Sequence, residues 1–213
     1  MELYEAIYGR RDVRRFQAEQ IADDVLARIL DAAHHAGSVG FMQPWNFIVV
    51  RSLDVRQQVY ELFTRENARA AENYTGERRE LYDSLKLAGI LEAPVSVAVT
   101  CDRSRNGPAV LGKNSMPEMD LYSTCCAIQN LWLAARSEGI GVGWVSILDP
   151  TLVKPLLGIP DDIVLVAWLC LGIPVQFDDR PMLETVGWEK RLPLEEVVFA
   201  ERWQERWAAD SSK

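Results

Sequence analysis

The chain has 213 residues, a net charge of −8 and 48% hydrophobic residues. That length fits one domain or a compact pair, and the apolar content is too high for a disordered chain. The acidic balance argues against general nucleic-acid or anionic-membrane binding, which requires excess Lys and Arg to neutralise phosphates. No apolar run reaches the roughly 18–20 residues of a membrane span, and the acidic start Met1-Glu2-Leu3-Tyr4-Glu5 lacks the basic n-region of a secretory signal, so the expected location is the cytoplasm.

In chain order, residues 3–8 are predicted to form a short helix. A second is predicted over 23–36, with Val25, Leu26, Ile29, Leu30 and Ala33 on one face, Asp23 or Asp24 as its cap and Gly37 at its end. Residues 46–51 read as a buried strand and 54–71 as a charged helix. The Arg- and Glu-rich stretch 65–90, broken at Asn73-Tyr74-Thr75-Gly76, reads as a solvated helical hairpin. Residues 93–100 read as a second strand and 102–117, with scattered Gly, Pro, Asn and Ser, as a loop. The longest predicted helix covers 118–138, from Pro117 to Gly139. It is apolar on more than one face, which requires cover on several sides and points to a subunit interface. Strands are predicted at 142–147 and 163–171, separated by a short helix that opens at Asp149-Pro150 and ends at Gly158. A polar loop then leads to Trp188, and residues 194–213 form a C-terminal arm carrying Trp203 and Trp207. Helices alternating irregularly with about four strands give an α+β architecture, a mixed central sheet flanked by helices.

Cys101, Cys125, Cys126 and Cys170 have no metal-binding spacing and lie in apolar surroundings, which reads as buried free thiols. His34 and His35 are adjacent and form neither an H-x-x-x-H nor an H-E-x-x-H pattern, so no metal site is expected. No G-x-G-x-x-G links a strand to a helix, which argues against a dinucleotide fold; Gly139, Gly141 and Gly143 instead lie between a helix and a strand.

Three segments stand out. Arg10-Arg11-Asp12-Val13-Arg14 places a local basic cluster in an acidic chain; Ser38-Val39-Gly40-Phe41-Met42-Gln43-Pro44-Trp45 joins a helix to a strand; Gly187-Trp188-Glu189-Lys190-Arg191-Leu192-Pro193-Leu194 lies near the C-terminus. Solvated arginines and core-packed Gln43 and Trp45 would explain them individually. In this order and spacing they resemble the flavin-dependent nitroreductase superfamily. Asp12, the segment Gly141-Val142-Gly143-Trp144-Val145-Ser146 and the run Pro117-Glu118-Met119-Asp120-Leu121-Tyr122-Ser123-Thr124 are similar to its 5,6-dimethylbenzimidazole synthase branch, over about residues 4–199.

The resemblance implies one nitroreductase-like FMN domain over 1–213, dimeric, with a lid at 65–90. It implies FMN contacts from Arg10, Arg11, Asp12, Val13, Arg14, Ser38, Gln43, Ser146 and Arg191, with Ser38 reaching flavin across the dimer. Arginine forks suit the FMN phosphate because they give paired charged hydrogen bonds. It also implies catalytic roles for Asp12 and Ser146. The expected reaction takes reduced FMN, delivered by a separate flavin reductase, and molecular oxygen to 5,6-dimethylbenzimidazole, the lower ligand of cobalamin, and D-erythrose 4-phosphate. A conventional NAD(P)H-dependent FMN nitroreductase and a non-catalytic flavin-binding protein are the alternatives. From charge alone, Asp12 is expected to ionise easily beside its arginines, and a salt bridge that merely orients them is its simplest role.

Overall fold

A computed structural model describes residues 1–207, which form two compact units, 1–179 and a second that begins at Arg180. The larger unit is built on a four-stranded sheet in the order β1-β2-β4-β3, from β1 (Trp45–Val50), β2 (Val95–Cys101), β3 (Gly141–Val145) and β4 (Val164–Gly172). All three ladders are antiparallel, with Val97 opposite both Val49 and Leu169, and Trp144 opposite Leu169. The mixed sheet expected from sequence is corrected to that extent: among the described residues the parallel pairing is a single bridge from Asp12 to Val142. Apolar periodicity fixes which residues face inward but says nothing about strand direction.

Every residue of β2 is buried. The strand is covered on both faces, which explains its unbroken small and β-branched run. Side chains alternate as a pleated strand requires. Val95, Val97 and Val99, with Ala167, Leu169 and Leu171 of β4, face one cluster built on Ile29, Ile128 and Leu131. Ala98, Trp168 and Cys170 face the opposite cluster, with Val59, Phe63 and Val153. Helices α2 (Asp23–His34) and α5 (Met119–Ser137) therefore cover one face, and α3 (Leu53–Ala71) and α6 (Pro150–Leu156) cover the other.

The helix ends follow local chemistry. Ser52 accepts from the Val55 amide to start α3, and Asp149 accepts from the Thr151 amide ahead of Pro150 to start α6. For α2 the cap position is Ala22; Asp23 and Asp24 fall in the first turn, where a negative charge suits the helix dipole. Gly139 ends α5 in the left-handed conformation, φ +76°. The first helix, α1 (Leu3–Gly9), packs on α5.

Between α3 and β2, α4 (Gly76–Ser84) folds back on α3. The Tyr82 hydroxyl donates to Asn67 at 2.8 Å, Arg79 donates to the Ala71 carbonyl at 3.0 Å, and Tyr82 stacks on Tyr74. The 65–90 region is thus a packed helical hairpin. Residues 102–117 contain neither helix nor strand.

The smaller unit holds α7 (Met182–Thr185), within the stretch expected to be loop, a 3-10 turn at Leu194–Glu196, and a bridge between Phe199 and Arg206. Trp203 and Trp207 are exposed; the rest of the expected arm, 208–213, lies outside the described residues. Among the described residues no helix is long and apolar enough to cross a membrane, and no three His, Cys, Asp or Glu side chains gather as a metal site.

The cysteines divide. Cys101 and Cys170 are buried, but Cys125 and Cys126 are exposed on α5, correcting the expectation of four buried thiols. The helix buries Ser123, Thr124, Ala127, Ile128 and Leu131 within the unit and leaves Tyr122, Cys125, Cys126 and Gln129 outside. One unit thus covers one side of a helix that is apolar on more than one face.

Candidate active site

Residues 10–14 leave α1 in extended conformation and run beside β3. Val13 N–H donates to the Val142 carbonyl at 2.9 Å. Asp12 Oδ1 accepts from Trp144 N–H at 2.9 Å, and Asp12 Oδ2 meets Arg14 Nη2 at 2.5 Å. The same Arg14 Nη2 donates to the Trp144 carbonyl at 2.6 Å. Asp12 and Arg14 thus grip both polar groups of one β3 peptide residue. Two glycines permit the approach. A Cβ on Gly141 would lie 2.9 Å from a Val13 methyl, and one on Gly143 would lie 2.1 Å from the Val13 carbonyl oxygen.

The Asp12 side chain keeps 42% of its surface exposed. Burial of the carboxyl nevertheless raises its pKa above the ordinary aspartate value; Arg14, the Trp144 amide and Arg10 pull the other way and do not cancel it. This corrects the expectation from sequence, in which the arginines were visible and the enclosing protein was not. The result is a carboxylate that binds a proton more readily than a surface aspartate.

The other predicted residues separate into groups. Ser146 lies just past the end of β3, exposed, downstream of the residue that Asp12 and Arg14 grip. Arg10 ends α1 and places its guanidinium over the Trp132 ring, 4.7 Å from the centroid. The Arg11 guanidinium donates to the carbonyls of Tyr8 and Arg10 at 2.8 and 2.7 Å and to that of Asp179, so it ties the end of α1 in place. Val13 is buried and offers its backbone to β3. Ser38 and Gln43 lie together in a separate turn, where Gln43 N–H donates to Ser38 Oγ at 3.0 Å. Gly40, Phe41 and Gln43 in that turn all have positive φ, between +49° and +55°. Arg191 belongs to the smaller unit and is exposed there. Trp45 is a core residue, its indole donating to His34 Nδ1 at 3.1 Å.

Arg14 Nε and Nη1 are buried and have no hydrogen-bond partner among the described residues. Unpartnered buried donors are rare because desolvation goes uncompensated. Cationic donors beside a carboxylate fit a ligand with anionic and polar edges, and FMN has both.

Two features were not legible as site parts in the sequence. Asp120 is wholly buried, with Lys113 Nζ 2.6 Å and Arg103 Nε 3.1 Å from Oδ2 and the Leu121 amide donating to Oδ1. Burial pushes its pKa up, but these donors outweigh it and the net shift is downward. Arg105 reaches from the 102–117 loop to the carbonyls of Gln43 and Trp45. The run containing Asp120 was visible as a motif; its partners depend on the path of a loop that has no periodic signal.

Residues 7–173 match the nitroreductase family, and the chain belongs to that family. Within it, the resemblance to 5,6-dimethylbenzimidazole synthases extends over most of the molecule. A relative of that name from Rhodospirillum rubrum is 45% identical over 86% of this chain and 87% of its own length. One from Rhodobacter capsulatus, also so named, is 44% identical over 91% of this chain and 93% of its own. Among solved structures, an iodotyrosine deiodinase bound to FMN and 3-iodo-L-tyrosine has a TM-score of 0.72 at 25% identity, covering 95% of this chain and 100% of that one. A BluB-like flavoprotein from Clostridium difficile 630 has a TM-score of 0.71 at 21% identity, with the same coverage, a likeness of fold.

Proposed function

We propose that this protein converts reduced FMN and molecular oxygen to 5,6-dimethylbenzimidazole and D-erythrose 4-phosphate, the pyrimidine portion of the flavin ring leaving as a third fragment. FMN is then a substrate, supplied in reduced form by a separate flavin reductase in the cytoplasm. The observation that carries the reading is the Asp12 carboxylate, fixed between Trp144 N–H and Arg14 with a raised pKa, in a chain whose relatives are named for this synthesis. Reduced flavin supplies the carbon skeleton that is cut, and oxygen the oxidising power.

Asp12 would take a proton at the junction of ribityl chain and ring, a step for which positioned bases contribute roughly 10²–10⁴-fold. Ser146 would orient the ring or relay that proton. Arg10, Arg11, Arg14, Val13, Ser38, Gln43 and Arg191 are the proposed flavin contacts, Arg14 through its unpartnered donors and Arg11 chiefly by holding the segment. The 65–90 hairpin would close over the ligand and exclude water.

Aerobic incubation with excess reduced FMN, followed by chromatography, tests the reaction. 5,6-Dimethylbenzimidazole should accumulate as flavin disappears. Rapid NAD(P)H oxidation with nitroarene reduction and no flavin loss would establish the conventional reductase instead, and neither product nor turnover would leave a flavin-binding protein.

Two further expectations belong to this reading. Arg191→Ala should weaken FMN binding by about 1.5–3 kcal/mol, the contribution of a charged hydrogen bond. Riboflavin, which has no phosphate, should bind the parent poorly and lose little more in the variant; equal losses for both ligands would remove Arg191 from the phosphate. We also propose a homodimer, because the exposed Tyr122, Cys125, Cys126 and Gln129 side of α5 needs cover. Sedimentation at micromolar concentration should give a dimer, and a folded, flavin-saturated monomer would contradict it.

A further inference from the structure

We propose that the 102–117 loop is a brace that positions the Ser38–Gln43 turn for flavin, with Arg105 as the positioning residue and Asp120 as the anchor. The inference rests on the reading of Ser38 and Gln43 as flavin contacts. The turn has bonds of its own, such as Gln43 N–H to Ser38 Oγ and Val39 N–H to Ser123 Oγ, but it holds a strained shape. Phe41 and Gln43 are in the left-handed region that side chains disfavour, and Phe41 is 80% exposed, so its own packing does not compel the conformation.

The loop adds further support. Arg105 Nη1 donates to the carbonyls of Gln43, at 2.5 Å, and Trp45, at 2.9 Å, on either side of Pro44. Arg105 Nη2 donates to Asn46 Oδ1. Asp102 N–H donates to the Pro44 carbonyl at 2.7 Å. Farther along, Leu111 and Val110 sit against Gly40 so closely that a Cβ there would lie 2.7 Å from the Leu111 carbonyl oxygen.

The brace is itself tied down. Lys113 Nζ bridges buried Asp120 and the Arg103 carbonyl, each at 2.6 Å, and Arg103 pairs with Asp120 and donates to the Pro117 carbonyl at 3.0 Å. A wholly buried carboxylate that gathers two cations from one loop fixes that loop to the first turn of α5. Neither Arg105 nor Asp120 need touch flavin for the arrangement to set its affinity.

Arg105→Ala, with Lys113→Met as a second variant that loosens the anchor, tests the brace. Hydrogen exchange over residues 38–45 should accelerate in both, without flavin present, while circular dichroism stays parental. Removing the Arg105 hydrogen bonds to Gln43, Trp45 and Asn46, or loosening their anchor, should raise the Kd for oxidised FMN, read by fluorescence quenching, and the KM for reduced FMN by about tenfold, with kcat within about twofold. In a Ser38→Ala background the Arg105→Ala effect on Kd should shrink, because both act on one turn. Parental exchange in folded Arg105→Ala overturns the brace whatever flavin does. Faster exchange with unchanged Kd, or full additivity with Ser38→Ala, overturns its role in flavin binding. A parent that binds FMN but forms no 5,6-dimethylbenzimidazole defeats the proposed reaction and leaves the brace to be judged on these measurements.

Discussion

Asp12→Asn should leave reduced FMN binding near that of the parent and lower 5,6-dimethylbenzimidazole formation by roughly 10²–10⁴-fold, the range for loss of a positioned base. Asparagine preserves the size of the side chain and an oxygen to accept from Trp144 N–H, whose present bond is 2.9 Å. It removes the anion that faces Arg14 and the atom able to hold a proton. If the carboxylate only aligns Arg14, the variant should bind flavin weakly and recover its yield at high reduced FMN. If it acts as a base, saturation should not help, and oxidised FMN and hydrogen peroxide should accumulate in place of the fragments. The pH profile separates the two further. Because burial raises the Asp12 pKa, the parent's acid limb should lie above the ordinary aspartate value of 3.8, with rate rising as the carboxyl ionises, and this limb should vanish in the variant. Near-parental product from Asp12→Asn at saturating reduced FMN would defeat this role. Ser146→Ala should show a milder version of the same uncoupling.

Gly143→Ala should disable the site by backbone displacement. The added Cβ would stand 2.1 Å from the Val13 carbonyl oxygen and 2.9 Å from Arg14 Nη1. The first of these is main chain and cannot swing away as a side chain could. Either β3 or residues 12–14 must move, and the 2.9 Å bonds from Val13 N–H to Val142 and from Trp144 N–H to Asp12 are lost with the move. Overpacking of this kind costs about 1–3 kcal/mol. A lower denaturation midpoint at unchanged m-value and a loss of flavin fragmentation should therefore appear together. Gly37→Ala is the control, since its Cβ would meet nothing within 4 Å and its φ is not positive. A Gly143→Ala protein with parental midpoint and yield would show that the close approach does not govern the site.

The sequence was legible where one physical signal dominates. The runs at β2 and β4 have the length and apolar content of buried strands, and Gly139 and Pro150 mark the end of α5 and the start of α6 within a residue or two. Strand direction was not legible, because an apolar run is compatible with either hydrogen-bond pattern. At the site, Asp12 and its arginines were visible as neighbours in sequence, but its net pKa shift is set by burial in the folded chain, against which even the Trp144 amide, more than a hundred residues away, pulls. Arg105 and Lys113 gave no sign of importance because the loop that carries them has neither helical nor strand period. The exposure of Cys125 and Cys126 was hidden for a related reason: composition shows that a helix is apolar on more than one face and does not show which side its own unit covers.

β3 is an outermost strand of the sheet. Such a strand normally presents a row of open amides and carbonyls on which another chain can assemble. Here Val13 N–H occupies the Val142 carbonyl, Asp12 occupies the Trp144 amide, and Arg14 occupies the Trp144 carbonyl. The segment proposed to do the chemistry is therefore also the guard on that edge. A substitution that frees it uncovers a template for aggregation, so soluble yield reports on this segment as directly as turnover does.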